Sequence, residues 1–106
     1  MTEKQKDMLG WLTNAGIEET RRYASDADGE TILAALKTET RIGAIAILKR
    51  ELFKRIKPGD EVWANTGSYF VKCKVEGVFL SHRYVGLSGS LKKWGWKDIA
   101  FTENGK

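Results

Sequence analysis

The sequence predicts an α+β domain, with three or four N-terminal helices packed on a C-terminal antiparallel sheet of four or five strands. Three observations carry this. Apolar residues recur at helical spacing up to Lys57. From Pro58 they alternate with polar ones and are punctuated by glycine turns. The only proline of the chain stands where one period gives way to the other, and a proline ends a helix because it lacks an N–H and its ring clashes with the preceding turn.

The elements follow in order. Thr2-Glu3-Lys4-Gln5 has the capping-box form, a hydroxyl at the N-cap and a Gln three residues on. The helix it opens is expected to turn Met8, Leu9, Trp11 and Leu12 inward and to end at Asn14-Ala15-Gly16. A short second helix carries Glu18 and Glu19 in its first turn, where the helix dipole favours carboxylates. Ser25–Gly29 reads as a turn, and Asp28 as the cap of a third helix bearing Ile32, Leu33 and Leu36. The last helix is expected over Glu39–Ile56, with Ile42, Ile45, Ala46, Leu52, Phe53 and Ile56 on one face. Arg50, Lys54 and Lys57 form a basic stripe on the other side. A short helix before a longer basic one also admits a helix-turn-helix reading, in which Glu39 would face the DNA backbone badly.

Beyond Pro58-Gly59-Asp60 come strands at Glu61–Asn65, Tyr69–Val75 and Val78–Val85, then one or two more within Trp94–Phe101. Thr66-Gly67-Ser68 and Glu76-Gly77 read as hairpin turns, Gly86–Ser90 as a loop, and residues 102–106 as a frayed tail. One domain therefore spans 1–106, helical over 1–57 and β over 58–101.

Length and composition exclude several classes. A chain of 106 residues has room for one domain, and 42% hydrophobic with 30% charged residues is ordinary for a folded protein. No apolar run approaches the roughly 18 residues of a membrane span. The first residues lack the apolar stretch of a signal peptide, so a cytoplasmic protein is the expectation. One cysteine and one histidine leave no internal disulfide and make a structural zinc site unexpected; neither metal nor cofactor is anticipated.

The net charge of +4 is unevenly spread. Eleven of the eighteen basic residues but only four of the fourteen acidic ones fall within 49–97, so that stretch carries +7 against −3 elsewhere. Concentrated positive charge suits a polyanion or an acidic protein surface.

Lys57-Pro58-Gly59-Asp60-Glu61-Val62, followed by short strands, resembles the opening of SH3-like barrels, including KOW- and Tudor-type modules. The resemblance covers at most Pro58–Phe101. It implies a small barrel, a fold that commonly binds RNA, DNA-associated proteins or peptides. Gly77 fills only loosely the place of the glycine that the KOW pattern sets after a basic strand.

With a turn at Glu76-Gly77, one sheet face would hold Tyr69, Val71, Cys73, Val75, Val78, Leu80, His82 and Tyr84, a core face by composition. The other face would pair Lys74 with Phe79, Lys72 with Ser81, and Phe70 with Arg83. Cations interleaved with rings can meet phosphates while bases stack, which suits single-stranded DNA or RNA. The expected nucleic-acid-binding set is Lys72, Lys74, Arg83, Lys92, Lys93, Phe70, Phe79 and Trp94, with Arg50, Lys54 and Lys57 as a secondary basic stripe. The structural alternative places Phe70 and Phe79 beneath the helices. Trp63, Trp94 and Trp96 could form an aromatic cage with Tyr69 or Tyr84, or fill the core. Gly86–Lys93 is read as a mobile loop presenting two lysines. Cys73 near His82 is a conceivable thiolate–imidazole pair without an orienting group or oxyanion site, so no catalytic residue is assigned.

Non-enzymatic binding of nucleic acid is thus the expected function. The rival is a protein-interaction module that uses its tryptophans as anchors. In composition the chain is similar to small phage accessory proteins, including inhibitors of host defence proteins.

Overall fold

The computed structural model describes all residues, 1–106. Four helices precede a five-stranded antiparallel sheet, an α+β arrangement. The chain divides into two compact units, Met1–Arg55 and Ile56–Lys106.

In the helical unit, α1 (Glu3–Asn14) begins with the expected capping box: Gln5 N–H donates to Thr2 Oγ1 at 3.1 Å, and Thr2 N–H donates to Gln5 Oε1 at 2.7 Å. The helix buries Leu12 but leaves Trp11 54% exposed, against expectation. Trp11 pairs instead with Tyr23 on α2 (Ile17–Asp26). That helix runs through Ser25 and Asp26, so the turn before α3 (Gly29–Thr38) shrinks to Ala27-Asp28. Asp28 caps α3 as expected, accepting from Thr31 N–H at 2.8 Å. The side-chain amide of Gln5 reaches Asp28 and Glu30, which ties α1 to the start of α3.

The fourth helix, α4 (Ile42–Arg55), is shorter than predicted and rotated. Its buried residues are Ala44, Leu48 and Phe53, while Ile42 is 86% exposed and Ala46 is exposed. Glu39 is not a helical residue of α4. It is buried in the link before it, accepting from the N–H groups of Thr40 and Arg41 and from the Arg41 guanidinium at 2.9 and 3.0 Å. An inward Glu39 does not face a DNA backbone. Arg41 also donates to the carbonyls of Ala15 and Leu12, fastening the end of α1 to this link.

The β unit contains β1 (Glu61–Asn65), β2 (Phe70–Phe79), β3 (Tyr84–Leu87), β4 (Lys93–Gly95) and β5 (Ile99–Ala100), in spatial order β4-β3-β2-β1-β5. Pro58-Gly59-Asp60 makes the expected entry turn, with Asp60 N–H on Lys57 O and Gly59 at φ 96°. The largest departure is at Glu76-Gly77. The chain does not turn there: β2 continues to Phe79 through a bulge at Glu76. The reversal comes four residues later, in a 3-10 turn over Leu80–His82 closed by Arg83 in the left-handed region. A lone glycine within a strand pattern marks a bulge as readily as a turn.

Register fixes the faces, because residues opposite one another on antiparallel strands point the same way. One face gathers Val62 with Cys73, Ala64 with Val71 and Ile99, Val75 with Leu87, and Val78 with Val85. Of these, Val62, Ala64, Val75, Val85, Leu87 and Ile99 are buried, so this is the core face. Tyr69, Leu80 and His82, expected within it, are exposed, and Tyr84 points the opposite way. A single 3-10 turn, Trp96–Asp98, joins β4 to β5, the two ends of the strand order. The tail expected to fray closes on itself: Lys106 N–H donates to Thr102 Oγ1 at 3.0 Å, and Thr102 is buried.

Candidate functional site

The face of the sheet opposite the core is where the bulge acts. By putting one extra residue into β2, it sets Gly77 against Gly86 and Phe79 against Tyr84. The Phe79 ring lies close over Gly77, where a Cβ would come within 3.3 Å of it. Phe79 and Tyr84 stack with centroids 4.8 Å apart, and Phe79 stays 47% exposed. Tyr84 opposes Gly95, and neighbouring Gly86 opposes Lys93, whose ammonium lies 5.3 Å from the Tyr84 centroid. The His82 and Tyr84 ring centroids lie 5.8 Å apart. Exposed Arg83 occupies the turn between the two strands. Rings and cations thus meet at one end of the β2–β3 hairpin.

The predicted site residues divide on this frame. Phe79, Arg83 and Lys93 belong to the hairpin end, but the predicted cross-strand pairs do not form. Lys74 opposes Glu61, Lys72 opposes Trp63, and Phe70 opposes Asn65, all on β1. Lys72 forms an ion pair with Glu61 at 3.4 Å. Phe70 is nine residues from Phe79, about 30 Å along an extended strand. It is half-buried against Gly105 of the tail, so it does not share the Phe79 site.

Lys92 and Trp94 form a second group. Lys92 Nζ stands 4.3 Å from the Trp94 centroid, and Trp94 Nε1–H donates to Ser90 Oγ at 3.0 Å. Ser90 Oγ also accepts from Lys92 N–H at 3.2 Å, and Ser90 N–H donates to Leu87 O at 3.1 Å, so Ser90 ties the loop to the end of β3. Trp94 opposes Val85 of the core face while Trp63 points with Lys72 to the other, which separates two members of the supposed cage. Trp96 opens the 3-10 turn, so strand alternation does not align it with Trp94.

On the helical unit, Arg50 and Lys54 remain exposed on α4, and Lys54 pairs with Glu51 at 3.3 Å. The helix ends at Arg55, so Lys57 is not the third member of its stripe. Lys49 is half-buried and desolvation lowers its pKa. Arg55 is also engaged, donating to the carbonyls of Ala24, Ser25 and Ala27. Cys73 opposes Val62, whereas the ring of His82 contacts Ser81 Oγ within the 3-10 turn, so the conceivable thiolate–imidazole pair is not assembled.

Two features escaped sequence reasoning. Tyr84 is the centre of the hairpin group, but the misplaced turn had put it in the core. Trp11 and Tyr23, centroids 5.7 Å apart with the Arg22 guanidinium 5.2 Å from the Tyr23 ring, line a groove of about 520 Å³ between α1 and α2. The polar flank of Trp11 (Asn14 beside it, Asp7 one turn before) was the available signal for its exposure.

No residues of His, Cys, Asp or Glu cluster in a way that could hold a metal ion, and no helix is long and apolar enough to cross a membrane. No family model, curated protein or solved structure matches the chain.

Proposed function

We propose that this chain is a non-enzymatic binding module for single-stranded nucleic acid, acting through the end of the β2–β3 hairpin. The observation that carries the reading is the stack of exposed Phe79 on half-buried Tyr84, with the Lys93 ammonium beside it. Bases stack on such rings whatever their sequence, and cations alongside neutralise phosphates. Gly77, which opposes Gly86 across the strands, leaves room for the Phe79 ring to lie against the sheet and stack on Tyr84. Residues 56–106 hold eight basic against five acidic side chains, an excess of the sign a phosphate backbone requires.

The β unit is read as an SH3-like barrel. Its strand order, the long bulged β2 paired with β1 over one half and β3 over the other, and the 3-10 turn joining β4 to β5 support that assignment. Fold alone does not select a ligand; the site does.

Fluorescence anisotropy with labelled single-stranded DNA, duplex DNA and RNA at two salt concentrations tests the function. Single strands should bind best, and affinity should fall steeply with salt. Absence of binding at low salt would remove the proposal. A protein-binding role is favoured by one feature, the adjacent Phe79 and Leu80, which are 47% and 49% exposed. Aromatic residues recur as interface anchors, so that role is the reading to pursue if nucleic acid fails.

A further inference from the structure

A recess of about 480 Å³ opens beside Trp94, bounded by Asn65, Thr66, Gly67, Lys92 and Asp98. It is separate from the Phe79–Tyr84 stack: it is built from the β1–β2 turn, the loop before β4 and the 3-10 turn after it. Each wall is held by its own contacts. Thr66 Oγ1 donates to Tyr69 O at 2.7 Å, and Asn65 Oδ1 accepts from Gly67 N–H at 2.8 Å. That second bond leaves the Asn65 amide hydrogens available. Ser90 fixes the indole through Nε1–H, and Lys92 lies over its ring. Asp98 is half-buried, and its carboxylate makes no hydrogen bond or ion pair within the chain.

We infer that this recess is a base-reading subsite that prefers guanine, an inference that rests on the nucleic-acid reading above. An uncompensated carboxylate repels phosphate, so the part of a nucleotide that can lie against Asp98 is the base. A carboxylate accepts through two oxygens at once. Guanine presents two parallel donors on its Watson–Crick edge, N1–H and the N2 amine, which match that geometry. Adenine and cytosine present one amine each, and uracil one imide N–H. The Asn65 amide can donate to a ring acceptor, and Trp94 bounds the recess beside it. Lys92, standing at the indole, supplies the charge for the phosphate on the sugar of the same nucleotide.

The test is a titration of the full-length protein with GMP, IMP, AMP, CMP and UMP. The readout is the Trp94 indole N–H in nitrogen–proton correlation spectra, assigned with Trp94→Phe. GMP should saturate the shift at a concentration roughly tenfold below IMP, which lacks the N2 amine, and below the other three. Asp98→Asn should erase the difference between GMP and IMP while AMP binding persists, and its thermal melt should show that the variant is folded. Equal response to all five nucleotides, or no response at Trp94, overturns the inference. Anisotropy with guanine-free oligonucleotides separates the two levels. Oligonucleotide binding without a GMP preference sinks the subsite alone, whereas a GMP preference without oligonucleotide binding sinks the strand-binding function alone.

Discussion

Two kinds of residue dominate this molecule, one internal and one external. Glu39 is the internal case. The guanidinium of Arg41 hydrogen-bonds its carboxylate, backbone N–H groups of Arg41 and Thr40 add to this, and together they outweigh burial, holding its pKa at about 2. A carboxyl whose folded pKa lies below its unfolded value stabilises the fold fully above that unfolded value. The stability is lost as pH falls toward the folded one. The window here runs from about pH 5 down to about pH 2. Glu39→Gln should therefore cost about 2 kcal/mol at neutral pH, discounted because Arg41 is part-exposed, and should flatten the acid limb of stability in urea titrations between those limits. An unchanged acid limb would show that other carboxylates govern it. Phe79 is the external case. Phe79→Ala should weaken single-strand binding by on the order of 1–2 kcal/mol and leave its salt slope unaltered, because stacking releases no counterions. Joint replacement of Lys92 and Lys93 by Ala should lower that slope by about 2. Both effects are read from anisotropy across a salt series.

Among the elements, the β2–β3 hairpin is the one whose geometry the site depends on. Its turn ends on Arg83 at φ 56°, a left-handed conformation that costs a side-chain-bearing residue about 1–2 kcal/mol. Glycine relieves that cost but adds freedom to the unfolded chain, worth about 0.4–1 kcal/mol in the other direction. Arg83→Gly should accordingly raise stability by about 0.5–1 kcal/mol in denaturant melts, while weakening strand binding through the lost cation. A destabilised variant would mean that the Arg83 side chain holds the turn. The position of this turn was not legible in the sequence. Glu76-Gly77 between valines has hairpin chemistry, and Leu80-Ser81-His82-Arg83 contains neither Gly nor Asn. The helices were easier: Thr2 and Asp28 announce their caps because each supplies an oxygen to a backbone N–H that nothing else satisfies.

For the molecule as a whole, charge and stability are partitioned between the two units. Residues 1–55 hold ten basic and nine acidic side chains, nearly balanced, so most of the excess of +4 lies in residues 56–106. Each unit has its own fully buried residues, such as Ile32, Leu36 and Leu48 in one and Val62, Val85 and Leu87 in the other. Native-state hydrogen exchange should consequently find strongly protected amides in both, in α3 and α4 and in β1–β3. Protection confined to one unit would show that the buried residues of the other do not hold it closed.

By itself the sequence determined the fold class, a helical half of three or four helices with the caps at Thr2 and Asp28, the break at Pro58 and the region that collects positive charge. These depend on local periodicity, on capping groups and on composition, all carried by neighbouring residues. Tertiary structure decided which residues form a surface. The bulge at Glu76 sets the register of β2 on β3, and a register differing by one residue exchanges the faces of a strand. That choice set exposed Phe79 on Tyr84 with Lys93 beside them and parted Cys73 from His82. It depends on which residues of the two strands meet across the turn, which the alternation within either strand does not encode.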